Sequence, residues 1–250
     1  MKLHGSFLVF TANSTLKILR RKSMDKETYE ILDTYMQTCM TSDTAHDKNH
    51  IYRVLYAALT IAEHEISVDY DCLITACLLH DIGRKEQFEN PNVCHAKAGA
   101  KKAGAFLREH GFPEPFISHV SDCIRTHRFR AGQIPESIEA KILFDADKLD
   151  VTGAIGIART LAYKGQHATP LYFCGTDGNI SERENDNTDS FFHEYRFKLE
   201  GMYDRFYTQA GKEMAAIRKK AAADFYHSML TEVQKITKTG SDLLDKQIQV

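Results

Sequence analysis

Four short segments carry residues able to do chemistry. They read His50-Ile-Tyr-Arg53-Val, Leu-Leu-His80-Asp81-Ile-Gly-Arg84, Arg-Thr-His127-Arg-Phe and Phe-Asp145-Ala-Asp147-Lys148-Leu-Asp. Imidazole and carboxylate in a set without cysteine suit Mn, Fe, Co, Mg or Zn bound for reaction. A structural zinc site more often uses thiolates. A catalytic divalent metal is therefore the first expectation, with His50, His80, Asp81 and an aspartate of the fourth segment as ligands. Such an ion supplies a lowered water pKa and neutralises charge on a phosphate oxygen.

The elements that must position these residues are helices. With 69–81 as a helix, His80 continues the stripe Leu73, Ala76, Cys77, and Asp81 continues Ile74, Cys77, Leu78. His127 ends the stripe Phe116, Ile117, Val120, Cys123, Ile124. Ionisable residues thus point where apolar ones point, which is costly unless they are paired or bind a metal. One histidine on an apolar face is more often a hydrogen-bonded core residue than a ligand. The ordered set is far more specific. Asp147 continues Ala140, Leu143 and Phe144, but Asp145 continues Ile138 and Ile142, so periodicity does not choose between the two.

In order and local context these segments resemble the HD superfamily of metal-dependent phosphohydrolases, in its stand-alone bacterial branch. The resemblance spans about residues 25–235 and includes Gly153-Ala-Ile-Gly-Ile-Ala-Arg159 and the stretch from Phe191 to Glu232. It implies an all-α fold, an HD-domain helical bundle with additional C-terminal helices. It also implies Asp147 as the last ligand, which leaves Asp145 a supporting carboxylate. Asp81, Arg53 and Lys148 are then the candidate catalytic residues. Arg53, Arg84, His95, His127, Arg130 and Lys148 are the candidates for binding phosphate, each also readable as an ordinary cation or core histidine. Some HD proteins bind a second metal through histidines placed as His95 and His127 are; the alternative, favoured at this level, is one metal with both histidines on phosphate or the leaving group.

The implied activity is hydrolysis of a nucleotide or related small phosphate ester by a metal-activated water, with nucleoside triphosphate pyrophosphohydrolysis suggested by the branch. Phosphomonoester or cyclic phosphodiester hydrolysis is the nearest alternative. Behind these stand a silent nucleotide-binding regulator and a di-iron oxygenase with the same ligand order.

Bulk properties bound the rest. With 250 residues, one domain is the default. The net charge of −2, from 32 basic and 34 acidic residues, gives no basic excess to suggest nucleic acid as a partner. The six cysteines form no Cys-x-x-Cys pair and read as reduced thiols, placing the expected location in the cytoplasm. No segment approaches a membrane span. Residues 1–23 lie outside the resemblance and read as a flexible extension or a misassigned start, 24–238 as one domain, and 239–250 as a frayed tail. Helices are expected at about 25–39, 50–65, 69–82, 95–110, 114–127, 136–150, 153–164, 190–207 and 209–236. The polar stretch 166–190 breaks the pattern and reads as a mobile flap or plain disorder. Gly83 is expected to stop the third helix. His46, His64, His110 and His119 read as surface or helix-end residues, and His193 as packing of the last helices.

Overall fold

A computed structural model describes residues 24–40, 47–128, 133–174, 180 and 189–248. Helix α1 spans Lys26–Cys39, α2 Lys48–Ala62 and α3 Tyr70–Leu79. Each begins at an aspartate whose carboxylate accepts a first-turn backbone N–H: Asp25 from Thr28, Asp47 from His50, and Asp69 from Cys72. Then come α4 (Arg84–Glu89), α5 (His95–Glu109), α6 (Glu114–Thr126) and α7 (Ile138–Leu149). The last group is α8 (Gly153–Gln166), the short α9 (Phe191–Glu194) and α10 (Gln209–Ile248).

Helix α3 is the axis of the main layer. It packs on α6, α2, α7 and α1, while α5 covers α6 and α2 covers α7. Its own residues explain this: Cys72, Leu73, Thr75, Ala76, Cys77, Leu78 and Leu79 are all buried, so it is apolar all round rather than along one stripe. A second apolar cluster joins Ile157 of α8, Phe191 and Phe192, Tyr195, Leu199, and Ala222 and Tyr226 of α10. The rings of Tyr195 and Tyr226 stack at 4.3 Å. The additional C-terminal helices thus hold a core of their own beside the bundle, and the described residues contain no strand, only an isolated bridge between Cys174 and Ile180.

Several elements differ from the periodicity reading. The segment expected as one helix over 190–207 runs as α9, a π-helical turn (Tyr195–Leu199) and a 3-10 segment (Glu200–Asp204), although the same apolar stripe is buried. Helix α10 continues to Ile248, so the stretch read as a frayed tail is helical as far as that residue. From residue 238 onward it is exposed throughout. Helix α3 ends at Leu79, before the His-Asp pair, and Gly83 is needed for a different reason than a left-handed turn. Its φ is −92°, and a Cβ there would lie 2.3 Å from the His95 carbonyl oxygen and 2.5 Å from the Gly99 nitrogen. The glycine lets the His80–Gly83 turn sit directly on α5, which brings His95 to Asp81. The expected flap lies mostly outside the described residues. What is described of it is anchored: Phe191 and Phe192 donate backbone N–H groups to the carbonyls of Pro170 and Leu171.

Candidate metal centre

His50 projects from the first turn of α2, His80 and Asp81 from the turn after α3, and Asp147 from the last turn of α7. His95 opens α5 and His127 closes α6. All six are buried. Their ligand atoms converge. His50 Nε2 lies 3.4 Å from His80 Nε2 and 3.5 Å from both Asp81 Oδ2 and Asp147 Oδ1. His95 Nε2 lies 3.3 Å from His127 Nε2 and 3.5 Å from Asp81 Oδ1, and His127 Nε2 is 3.6 Å from the same oxygen. Two ligand groups result, His50-His80-Asp147 and Asp81-His95-His127, and the Asp81 carboxylate faces both.

The outer partners fix which nitrogen is free. His50 Nδ1 donates to Asp150 Oδ2 at 2.7 Å, His80 Nδ1 to the Cys77 carbonyl at 2.8 Å, and His127 Nδ1 to the Ile124 carbonyl at 2.6 Å. His95 Nδ1 donates to Gln87 Oε1 at 2.6 Å. A neutral imidazole that donates through Nδ1 presents a lone pair at Nε2. Four lone pairs and two carboxylates therefore face one another across distances too long for good hydrogen bonds. Both Asp81 oxygens are buried without a well-formed hydrogen bond. Buried acceptors that face one another without aligned hydrogen bonds between them suit a cation, and the imidazole–carboxylate donor set fits a divalent ion.

Charge states agree. Burial, opposed by the Asp81 charge, lowers His80 to about 4, and burial lowers His95 to about 2, so both stay neutral near pH 7. Burial raises the Asp81 and Asp147 carboxyls, but neighbouring positive charge outweighs it, Arg84 first for Asp81 and Lys148 first for Asp147. Both carboxyls end well below their ordinary value. Burial pulls His50 down, but the neighbouring Asp150 and Asp81 carboxylates outweigh it and push it upward, which marks a position that favours positive charge.

The cations expected to meet phosphate are placed as follows. Lys148 Nζ sits 2.8 Å from Asp147 Oδ2, with its side chain 11% exposed. Arg84 Nε lies 2.9 Å from Asp81 Oδ1. Arg53 turns outward and grips Asp150 through Nε at 2.7 Å and Nη2 at 2.9 Å. Arg130 lies outside the described residues, as does His46. Asp145 accepts from the Tyr207 and Thr208 backbone N–H groups and the Thr208 hydroxyl, at 2.6–3.1 Å, and ties α7 to the start of α10. It is a structural carboxylate and not a ligand. His119, read as a surface residue, instead packs its ring against buried Glu139. His193 packs on Phe197.

Two residues of the site escaped sequence reasoning. Asp150 receives His50, Arg53 and Arg159, the last at 2.9 Å, and is the hub that orients His50. Its position one helical turn after Asp147 was the available signal. Gln87 lies on α4, whose residues are all at least partly exposed, so no apolar stripe announced it.

Comparisons with known proteins agree with this geometry. The family model for the HD domain matches residues 48–152. The Bacillus subtilis protein YpgQ is 28% identical over 212 residues, covering 83% of this chain and 94% of YpgQ. One crystal structure of YpgQ is a complex with ADP; it matches at 25% identity with a TM-score of 0.63, over 82% of this chain and 97% of that one. A predicted HD superfamily hydrolase from an uncultured Thermotogales bacterium is 31% identical, covers 81% of this chain and 91% of its own, and gives a TM-score of 0.56. An HD-superfamily hydrolase from Bacillus thuringiensis is 29% identical with a TM-score of 0.62, over 82% and 96%. With the His50, His80-Asp81, Asp147 order on a shared helical frame, the chain belongs to the HD superfamily, among its stand-alone bacterial members.

Proposed function

We propose that this protein is a metal-dependent phosphohydrolase acting on a nucleotide, with nucleoside triphosphate pyrophosphohydrolysis as the preferred reaction. The observation that carries the reading is the fully buried Asp81 carboxylate, which makes no aligned hydrogen bond and has four imidazole Nε2 atoms gathered around it and Asp147. This favours two ions over the single ion expected from sequence. His50, His80 and Asp147 would hold one, His95 and His127 the other, with Asp81 shared.

When bound, such ions supply a water activated near neutral pH and a clamp for phosphate oxygens. The remaining steps belong to the side chains. Asp150 holds His50 in the tautomer that presents Nε2, and Arg53 and Arg159 hold Asp150. Gln87 does the same for His95. Lys148 and Arg84 border the cluster, and we assign them the charge on the phosphate chain. Arg53, bound to Asp150, is then a positioning residue more than a phosphate ligand. The ADP complex of YpgQ supports a nucleotide as the substrate class here. No described helix is long and apolar enough to cross a membrane.

The test is phosphorus NMR of a nucleoside triphosphate mixture incubated with the protein and Mn(II), beside His80→Ala and Asp147→Ala. Monophosphate and pyrophosphate, absent with both variants, are expected. Orthophosphate alone would shift the assignment to a phosphatase.

A further inference from the structure

Outside the HD cluster a second group of ligand-type side chains converges where α3, α6 and α7 meet. His119 and Cys123 are four residues apart on α6 and share a face. Cys72 lies in the first turn of α3 and Glu139 in the first turn of α7. One ligand atom each from Cys72, His119 and Cys123 lies within 4.8 Å of the others. His119 Nε2 lies 3.0 Å from Glu139 Oε2. We propose that Cys72, His119, Cys123 and Glu139 form a separate zinc(II) site that staples the three helices.

The donor set argues for zinc. Two sulfurs, one imidazole and one carboxylate oxygen make four ligands, the number that tetrahedral zinc takes. Zinc–sulfur bonds of about 2.3 Å and zinc–nitrogen bonds of about 2.0 Å place neighbouring ligand atoms roughly 3.3–3.8 Å apart; Cys72, His119 and Cys123 already lie within 4.8 Å of one another, and Glu139 reaches the group beside His119. Thiolates also separate it chemically from the HD cluster, whose oxygen and nitrogen ligands suit Mn or Mg.

Burial makes the arrangement unusual for mere packing. Cys72 and Cys123 are 0% exposed, and Glu139 is a buried carboxylate. His119 Nε2 is buried and makes no aligned hydrogen bond, even though Glu139 is so close.

The surroundings support the ligands. The Asp69 backbone N–H donates to Glu139 Oε1 at 2.7 Å, leaving Oε2 for the site. The Ser137 hydroxyl lies 3.8 Å from Cys123 Sγ. The His119 side chain is 33% exposed and gives an ion a way in from solvent.

Cobalt(II) titration of the full-length, reduced protein tests this directly. The six-residue HD cluster contains no sulfur, so thiolate-to-cobalt charge-transfer absorption in the near ultraviolet separates it from the proposed site, and the cysteine variants separate that site from the other thiols. The expected result is a band that saturates at one equivalent of thiolate-bound cobalt and is displaced by zinc(II). His119→Ala, a partly exposed position, should fold and weaken binding at least tenfold. Cys123→Ser should abolish the band, and Cys94→Ser should keep it. No band in reduced wild-type protein, or a band unchanged in both His119→Ala and Cys123→Ser, would overturn the proposal. A Cys72–Cys123 disulfide in place of metal binding, seen as the loss of two hydrogens by intact mass, would overturn it equally.

Discussion

The decisive features at the residue scale are the outer hydrogen bonds that force every histidine of the cluster to offer Nε2. Asp150 is the partner most open to test, because it touches no ligand group other than His50. Asp150→Asn keeps the shape but weakens the acceptor for His50 Nδ1. Loss of such a partner typically costs 10–100-fold in metal affinity, so the expected outcome is Mn(II) affinity lower by about that factor with little change in fold. Equilibrium dialysis against Mn(II) measures it.

The same residues set a pH dependence. His80 and His95 have folded-state values below their unfolded one, so the unfolded chain binds more protons as pH drops from about 6.5 toward about 4 for His80 and about 2 for His95. Stability in the metal-stripped protein should therefore be present above about pH 6.5 and fall through that window, by about 1.4 kcal/mol per pH unit for each histidine. The depressed Asp81 and Asp147 carboxyls add to the loss at still lower pH. His50 runs the other way: its raised value contributes stability in acid that is lost as pH rises through the folded value. Denaturant unfolding between about pH 4.5 and 7 should show the net loss, and His80→Asn should flatten it.

At the element scale the two aspartates of α7 part company. Asp147 faces the histidines, and Asp145 caps the entry to α10. Asp145→Ala leaves two backbone donors and a hydroxyl without their acceptor and should destabilise the fold by roughly 2–4 kcal/mol, with metal content per folded chain unchanged. Asp147→Ala should do the reverse, lowering metal content with a smaller effect on apo stability. Thermal melts and metal analysis on the same samples separate the two. Periodicity could not make this distinction because α7 is buried on nearly every side, Ile142, Leu143, Phe144, Asp145, Ala146 and Asp147 alike. The helices with one apolar face, such as α2 and α6, were legible for the opposite reason. Helix α4 was not, since it buries nothing, yet it delivers Gln87 and Arg84. The set His50, His80, Asp81 and Asp147 was legible because His80, Asp81 and Asp147 continue apolar stripes and the family resemblance supplies the order; His95 and His127 read first as phosphate contacts, and Asp150 was not singled out.

Across the whole molecule, the bundle of α1–α7 carries the cluster, and α8–α10 add a second apolar core, with α10 also packed on α7. Tyr203 touches both cores, and its hydroxyl oxygen accepts the Gly153 N–H at 3.0 Å. Beyond residue 238 helix α10 is solvated on all sides and braces nothing. Removing residues 239–250 should shift stability by no more than about 0.5 kcal/mol, the usual range for exposed positions, with metal binding intact; a melting curve of the truncated protein decides it.

The central claim is that a six-residue cluster bridged by Asp81 runs phosphoryl hydrolysis. Its most direct test is turnover of a nucleoside triphosphate followed as Mn(II) is titrated into metal-stripped protein, with bound Mn(II) counted at each step. Activity should climb until two ions are bound per chain, and His95→Ala should bind one ion fewer and lose most turnover. Full activity with a single bound ion would contradict the bridged pair, and no turnover at any loading would contradict the hydrolase reading itself.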